Sequence, residues 1–155
     1  MSIALAHAGT PALSSEVSTT LTVSAGMAYE IFSDAGGVPR WLPIVQSART
    51  LLREPGGRVL RVAFVRRLER GSLGYTLEYR YDAERLTVSW RTPDSSSVVL
   101  TGEAGFTAMS ERACLMRYRV ELDLPVVDDL LHSELDRHPA SQVVAAFREH
   151  LRRFR

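Results

Sequence analysis

The chain has 155 residues, 45% hydrophobic and 24% charged, with a net charge of +1. This length and balance suit one globular domain, and a charge near zero argues against a nucleic-acid partner, which usually requires a basic surface. All 19 basic residues are arginine, which excludes chemistry through a lysine Schiff base. Its single cysteine cannot form an internal disulfide, and no stretch approaches the ~18 apolar residues of a membrane span. We therefore expect a cytoplasmic protein with no transmembrane segment.

The first fifteen residues predict a frayed or disordered extension, and residues 16–155 predict the domain itself. "MSIALAHAGTPALSS" lacks a cationic leader, and its apolar run is broken by His7, Gly9 and Pro11, so it does not resemble a signal peptide. The next segment, "EVSTTLTVS", alternates as a half-buried strand does.

A short helix is predicted after this strand, because Met27, Ile31 and Phe32 recur at helical spacing. Ser24 is suited to cap its first turn, and Gly36 and Gly37 to end it.

Trp41 then stands between two prolines in "GGVPRWLPIVQS". Pro39 and Pro43 restrict the backbone on either side, so we expect a connection that holds the tryptophan in a fixed direction. Whether Trp41 forms a cavity wall or gate, or is a hydrophobic plug between helix and sheet, stays open here.

From Val45 onward the apolar residues recur with period two for about 80 residues, which predicts six further strands joined mostly by hairpins. One face of each strand is polar, as in an antiparallel sheet covered on one side. The predicted inward face comprises Leu60, Val62, Phe64, Leu73, Tyr75, Leu77, Tyr79, Tyr81, Leu86, Val88, Trp90, Val98, Leu100, Ala104, Phe106, Cys114, Met116, Tyr118, Val120, Leu122 and Leu124.

Pro125 ends the last predicted strand, and the remainder reads as helix. Pro139 suits a first helical turn, and a stripe at helical spacing runs from Val143 through Phe147 to Phe154. One long C-terminal helix is expected to cover the sheet.

This order of elements resembles the START-like superfamily of polyketide cyclases, coenzyme Q-binding proteins and lipid carriers. Three segments carry the resemblance: "VSAGMAYEIFSDAGGVPRWLP", "YTLEYRYDAERLTVSWR" and "LDLP" before the last helix. It implies an α+β helix-grip fold, in which a seven-stranded curved antiparallel sheet wraps around the C-terminal helix. Two short helices follow the first strand, and a cavity lies between sheet and terminal helix.

Arg66 and the inward tyrosines are the candidates for chemistry. Arg66 continues the face of Val62 and Phe64, but a bulge near "RRLERG" would instead turn Arg67 inward. Buried phenols need hydrogen-bond partners, which a ligand oxygen or ordinary packing can supply. The predicted ligand-contacting residues are Trp41, Phe64, Arg66, Tyr75, Tyr79, Tyr81, Trp90, Leu100, Phe106, Met116, Tyr118, Val144 and Phe147.

Three other features have simpler interpretations. Inward Gly102 favours either an empty space or an edge bulge. Cys114 is predicted to be core, and the helical pair His132 and Asp136, with His138, a solvated face rather than a metal site. No metal or other cofactor is expected.

Two functions fit these patterns. The first is binding of a hydrophobic or aromatic small molecule, of polyketide, lipid or quinone type, for transport or protection. The alternative is a polyketide cyclase or aromatase promoting aldol closure and loss of water, with Arg66 and Tyr79 as catalytic residues. The oligomeric state stays open.

Overall fold

Seven strands form one antiparallel sheet in the computed structural model of the chain, which describes residues 13–96, 99–123 and 140–154. The spatial order is β1-β7-β6-β5-β4-β3-β2. The strands are β1 (Leu13–Leu21), β2 (Val45–Arg53), β3 (Val59–Arg67), β4 (Ser72–Asp82), β5 (Thr87–Arg91), β6 (Val99–Ser110) and β7 (Ala113–Asp123).

Two α-helices and two short 3₁₀ helices complete the described structure. Helix α1 spans Ala25–Phe32 and is followed by a 3₁₀ helix over Ala35–Arg40; α2 spans Ala140–Leu151 and continues as 3₁₀ over Arg152–Phe154. The curved sheet, the two short helices after β1 and the C-terminal helix confirm the predicted helix-grip fold. No described helix is long and apolar enough to cross a membrane.

The strand register confirms the predicted inward face. Hairpin neighbours place Phe64 opposite Tyr75, Tyr79 opposite Trp90, and Phe106 opposite Met116. Strand β1 joins the far side of β7, with Leu21 opposite Cys114, and so extends the same covered face. It begins at Leu13, three residues before the predicted start of the domain.

Two predicted strand positions differ. Leu86 lies in the turn before β5 with φ 51°, and its carbonyl accepts a hydrogen bond from the Phe106 N–H at 3.0 Å. Leu60 is half-buried and lines a groove beside outward Arg61, whereas Val59 is only 4% exposed. Val98, Leu124, Pro125, Pro139 and the His132 group lie outside the described residues.

Helix α1 begins at its predicted cap. The Ser24 hydroxyl accepts a hydrogen bond from the Met27 N–H at 3.1 Å, which satisfies one free donor of the first turn. The predicted apolar face was wrong in part, because Met27 is 42% exposed. The buried face runs through Ala25, Ala28, Tyr29 and Phe32, and two of these residues are small.

Gly36 and Gly37 were predicted to end α1. The helix instead stops earlier, at Phe32. Gly36 and Gly37 lie inside the following 3₁₀ helix, together with Pro39. A Cβ at Gly37 would come within 2.6 Å of an Asp34 carboxylate oxygen, so a larger residue would displace this exposed side chain. The Trp41 N–H then donates to the Val38 carbonyl at 3.1 Å and closes the turn.

The core lies between the inward face of the sheet and the two α-helices. Helix α2 buries Val144, Phe147 and Leu151 and packs against β1 and β7. Phe147 is fully buried, with its ring centroid 5.2 Å from that of Phe32 and 5.1 Å from that of Trp41. Both helices and the Trp41 turn are therefore joined by one aromatic contact.

We expect Ser24→Ala to lower the free energy of unfolding by about 1 kcal/mol, because the Met27 N–H loses its acceptor at the start of α1. Urea denaturation followed by circular dichroism measures this. The control is Ser18→Ala on the exposed face of β1. Equal stability of the two variants would contradict the capping role.

Candidate functional site

A cavity of about 460 Å³ lies between the sheet, the Trp41 turn and α2. Its volume falls within the range typical of small-molecule sites, about 300–1,000 Å³. The wall comprises Phe32, Val38, Trp41, Leu42, Pro43, Ile44, Val45, Phe64, Arg66, Arg67, Tyr75, Leu77, Trp90, Leu100, Tyr118, Val120, Ala140, Gln142, Val143 and Ala146. Most of these side chains are aliphatic or aromatic, so the cavity suits an apolar molecule.

Trp41 is both a hydrophobic plug between helix and sheet and part of the cavity wall. Its indole is 9% exposed and packs against Phe147 and Phe32, as a plug between helix and sheet would. The same residue lines the cavity. It is thus a wall held in place by the core.

Arg66, rather than Arg67, has a guanidinium turned into the protein. Its Nε and Nη2 atoms are buried and the residue lines the cavity. Arg67 also borders the cavity, but its side chain is exposed. The predicted alternation holds because Arg66 stays in register, opposite Val45 on β2 and Leu73 on β4. A cation therefore lies in a mostly apolar wall.

Tyr75 and Tyr118 share this part of the cavity with Arg66. Burial raises the pKa of both phenols, and the nearby positive charge of Arg66 lowers it by a smaller amount. Both side chains therefore stay protonated at neutral pH. The three groups can donate hydrogen bonds to an oxygen atom of a bound molecule.

Seven of the thirteen predicted ligand-contacting residues line the cavity: Trp41, Phe64, Arg66, Tyr75, Trp90, Leu100 and Tyr118. The other six lie elsewhere in the described structure. Phe106, Met116, Val144 and Phe147 are buried in the core, where side chains of α1, α2 and the sheet meet.

Tyr79 and Tyr81 form a separate aromatic row. Their rings stack at 6.2 Å, and Tyr79 also contacts Trp90 at 6.1 Å. The Tyr81 hydroxyl donates to the Val59 carbonyl at 2.6 Å, so a protein acceptor satisfies it. Burial raises the pKa of Tyr79 well above its usual value and that of Tyr81 to about 12. Tyr79, a predicted catalytic residue, is not among the residues that line the 460 Å³ cavity.

Sequence reasoning missed the wall residues next to Trp41 and those on the second face of α2. Leu42, Pro43 and Ile44 directly follow Trp41 in the sequence. Since Trp41 was predicted to contact a ligand, its neighbours could have been predicted to line the cavity as well. Along α2, Val143 and Ala146 face the cavity while Val144 and Phe147 face the core. The predicted stripe merged these two faces.

Gly102 faces inward, but the space above it is filled. A Cβ on this residue would overlap the indole of Trp90, its direct cross-strand neighbour. The glycine therefore accommodates Trp90 rather than leaving the empty space considered above.

His150 lies beside Trp41, with ring centroids 6.4 Å apart and planes inclined by 24°. On its other side it contacts Phe154 at 5.3 Å. Burial lowers the pKa of the imidazole, and the positive charges of Arg153 and Arg40 lower it further.

Other candidates for chemistry have no support among the described residues. Cys114 is fully buried, and burial raises the pKa of its thiol, which fits a core residue. No cluster of potential metal ligands occurs in ranges 13–96, 99–123 and 140–154. His132, Asp136 and His138 lie outside these ranges.

The chain belongs to the family described as polyketide cyclase / dehydrase and lipid transport, whose sequence profile matches residues 12–155. Membership implies ligand binding or cyclase activity on a hydrophobic small molecule, without deciding between them. No curated protein matches the chain.

Solved structures with the same fold include both enzymes and other members of the superfamily. A START superfamily protein from Mycobacterium smegmatis has a TM-score of 0.77 at 14% identity, covering 92% of this chain and 99% of that one. The Zhui aromatase/cyclase from Streptomyces sp. R1128 has a TM-score of 0.76 at 16% identity, covering 94% and 97%. Norcoclaurine synthase from Thalictrum flavum, solved with dopamine and hydroxybenzaldehyde, has 0.66 at 12%, covering 94% and 90%. Identities this low establish the fold alone.

We expect acid to destabilise the protein through His150. Its pKa in the folded state lies below the ordinary value of 6.5, so the unfolded chain binds the proton more tightly. The stability that depends on the neutral imidazole is fully present above the ordinary pKa of 6.5. It is lost as the pH falls from there through the lower pKa of the folded state. The melting temperature should therefore decrease between about pH 7.5 and about pH 5.5.

The matched variant is His150→Gln, which keeps a polar side chain but does not titrate. Its melting temperature should depend less steeply on pH than that of the wild type. Parallel pH profiles would show that His150 does not contribute.

Proposed function

We propose that this protein binds a hydrophobic aromatic molecule carrying at least one polar oxygen, and holds it in the internal cavity for transport or protection. The observation that carries this proposal is the position of Arg66, a cation turned into a cavity whose wall is otherwise largely apolar. A guanidinium that lines the cavity can donate charge-assisted hydrogen bonds to an oxygen atom of a bound ligand.

The remaining wall supports an aromatic ligand. Trp41, Phe64, Trp90 and the two tyrosines present ring faces and edges to the cavity. Aromatic pairs gain about 0.5–1.5 kcal/mol beyond the area they bury, so a planar ligand would be preferred over an aliphatic chain of equal size.

A second candidate function is cyclisation of a poly-ketone chain, and the grouping of Arg66 with Tyr75 and Tyr118 favours it. In an aldol closure, an α-carbon loses a proton to water, and the enolate carbon attacks a carbonyl carbon to form a carbon–carbon bond. The former carbonyl oxygen takes up a proton, and this hydroxyl leaves with a second α-proton as water, which leaves a carbon–carbon double bond. Protonated tyrosines and a fixed cation would stabilise the enolate oxygen as its charge develops. In this version Tyr75 and Tyr118 take the donor role first assigned to Tyr79, because they line the cavity with Arg66.

Binding is tested by titrating the protein with hydrophobic polyphenols while following tryptophan fluorescence. Trp41 and Trp90 both line the cavity, so occupancy should change the emission saturably. Native mass spectrometry of the freshly purified protein provides an independent test, through a co-purified small molecule. A flat titration across a broad ligand panel together with a bare protein mass would contradict the proposal.

Arg66→Ala should weaken binding of an oxygen-bearing ligand by about 1–3 kcal/mol, the scale of a hydrogen bond to a charged group. The control is Arg119→Ala, on the exposed face of β7 next to Tyr118, which should leave affinity unchanged. Calorimetric titration measures both. If the Arg66→Ala variant binds the ligand as tightly as the wild type, Arg66 does not bind the ligand oxygen as proposed.

The same substitution separates the two functions. In a carrier only the affinity falls. In a cyclase the charge appears mainly in the transition state, so turnover should fall by about 10²–10³ while substrate affinity changes much less.

A further inference from the structure

Trp90 and Gly102 form a cross-strand pair that reaches into the cavity. They lie directly opposite each other on β5 and β6. A Cβ added to Gly102 would overlap the Cε2, Nε1 and Cζ2 atoms of the indole, closer than real Cβ atoms approach other groups. The indole therefore lies against the backbone of β6, in space that any other residue at 102 would fill.

Protein groups hold this indole on several sides. Its centroid is 6.1 Å from the Tyr79 ring, 5.7 Å from the Phe32 ring and 5.6 Å from the Tyr118 ring. The residue is 7% exposed, and it forms part of the cavity wall. The indole thus has aromatic rings on several sides and borders the cavity, and we expect a ring displaced from β6 to move into that space.

We propose that the Trp90–Gly102 pair determines how large a molecule the cavity accepts. Because residue 102 is glycine, the Trp90 indole can pack directly against the backbone of β6. The cavity is therefore deeper than it would be if a side chain at position 102 pushed the indole away from the sheet. The pair thus selects for broad, polycyclic planar ligands over single rings. This inference rests on the proposed binding function and adds a size limit to it.

The first test measures the cavity itself and needs no ligand. In crystal structures, Gly102→Ala should displace the indole toward the cavity and reduce its volume relative to the wild type. An unmoved indole with an unchanged cavity would overturn the inference, whatever the protein binds.

The second test uses hydroxylated probes of increasing size: phenol, 2-naphthol, 9-phenanthrol and 1-hydroxypyrene. Probe fluorescence or calorimetry gives the affinities. Gly102→Ala should weaken binding of the four-ring probe at least tenfold and that of phenol less than twofold. An equal loss for all four probes would indicate a general structural defect and overturn the size limit.

Trp90→Phe is the reciprocal variant, and it keeps the test decisive if Gly102→Ala does not fold. Phenylalanine lacks the indole Nε1 and Cζ2 atoms, so the cavity should enlarge and the preference should shift further toward the four-ring probe. An unchanged preference would contradict the proposal. In the double variant, the smaller ring should tolerate the new methyl group and restore binding of 1-hydroxypyrene. A change in affinity equal to the sum of the two single-variant changes would show that the residues are not coupled and would overturn the proposal.

Failure of the proposed function gives a different pattern. If the wild type binds none of the probes and no other aromatic ligand, the binding proposal is wrong. The crystallographic comparison still decides whether Gly102 sets the cavity volume.

Discussion

The contact of Phe147 with Phe32 and Trp41 determines how the rest of the protein is arranged. It joins α2, α1 and the turn after the 3₁₀ helix at one fully buried point. Because α2 is held there, it packs on β1 and β7, and the 3₁₀ helix packs on β2 and β3. The cavity lies between α2, the Trp41 turn and inward residues of β3 and β4 such as Phe64 and Tyr75.

The charge distribution of this cavity is as important as its shape. Arg66 lies beside Tyr75 and Tyr118 in a wall that is otherwise mostly aliphatic or aromatic. Three hydrogen-bond donors therefore share one part of the cavity, whereas Val143 and Ala146 of α2 contribute aliphatic side chains to the wall.

Much of the fold follows from local rules that the sequence displays directly. Period-two alternation identifies the inward strand faces, and Ser24 marks the start of α1 because a hydroxyl at that position accepts a backbone hydrogen bond. Alternation gives the face of a side chain but not its depth. It therefore could not distinguish Phe64, which lines the cavity, from Phe106 and Met116, which fill the core. That distinction depends on where α1 and α2 pack.

The remaining differences have similar physical origins. Met27 was predicted to face inward because it recurs with Ile31 and Phe32 at helical spacing, yet the helix buries the side containing Ala25 and Ala28, because small residues let it approach the sheet. Gly102 was expected to mark either an empty space or an edge bulge, but the indole of the neighbouring strand occupies the space above it. Both outcomes depend on the volume of a partner that is distant in sequence, and single-strand periodicity contains no information about it.

The irregular pairing of β2 affects how readily this edge strand could pair with a strand of another molecule. This strand forms one edge of the sheet, and it carries the consecutive exposed residues Leu51 and Leu52. A regular edge with apolar side chains is a template for strand addition by another chain, as in aggregation. The register shifts between Thr50 and Leu52 and between Leu52 and Arg53 interrupt the row of backbone donors and acceptors at this point. The bulged edge is therefore a poor template for strand addition beside Leu51 and Leu52.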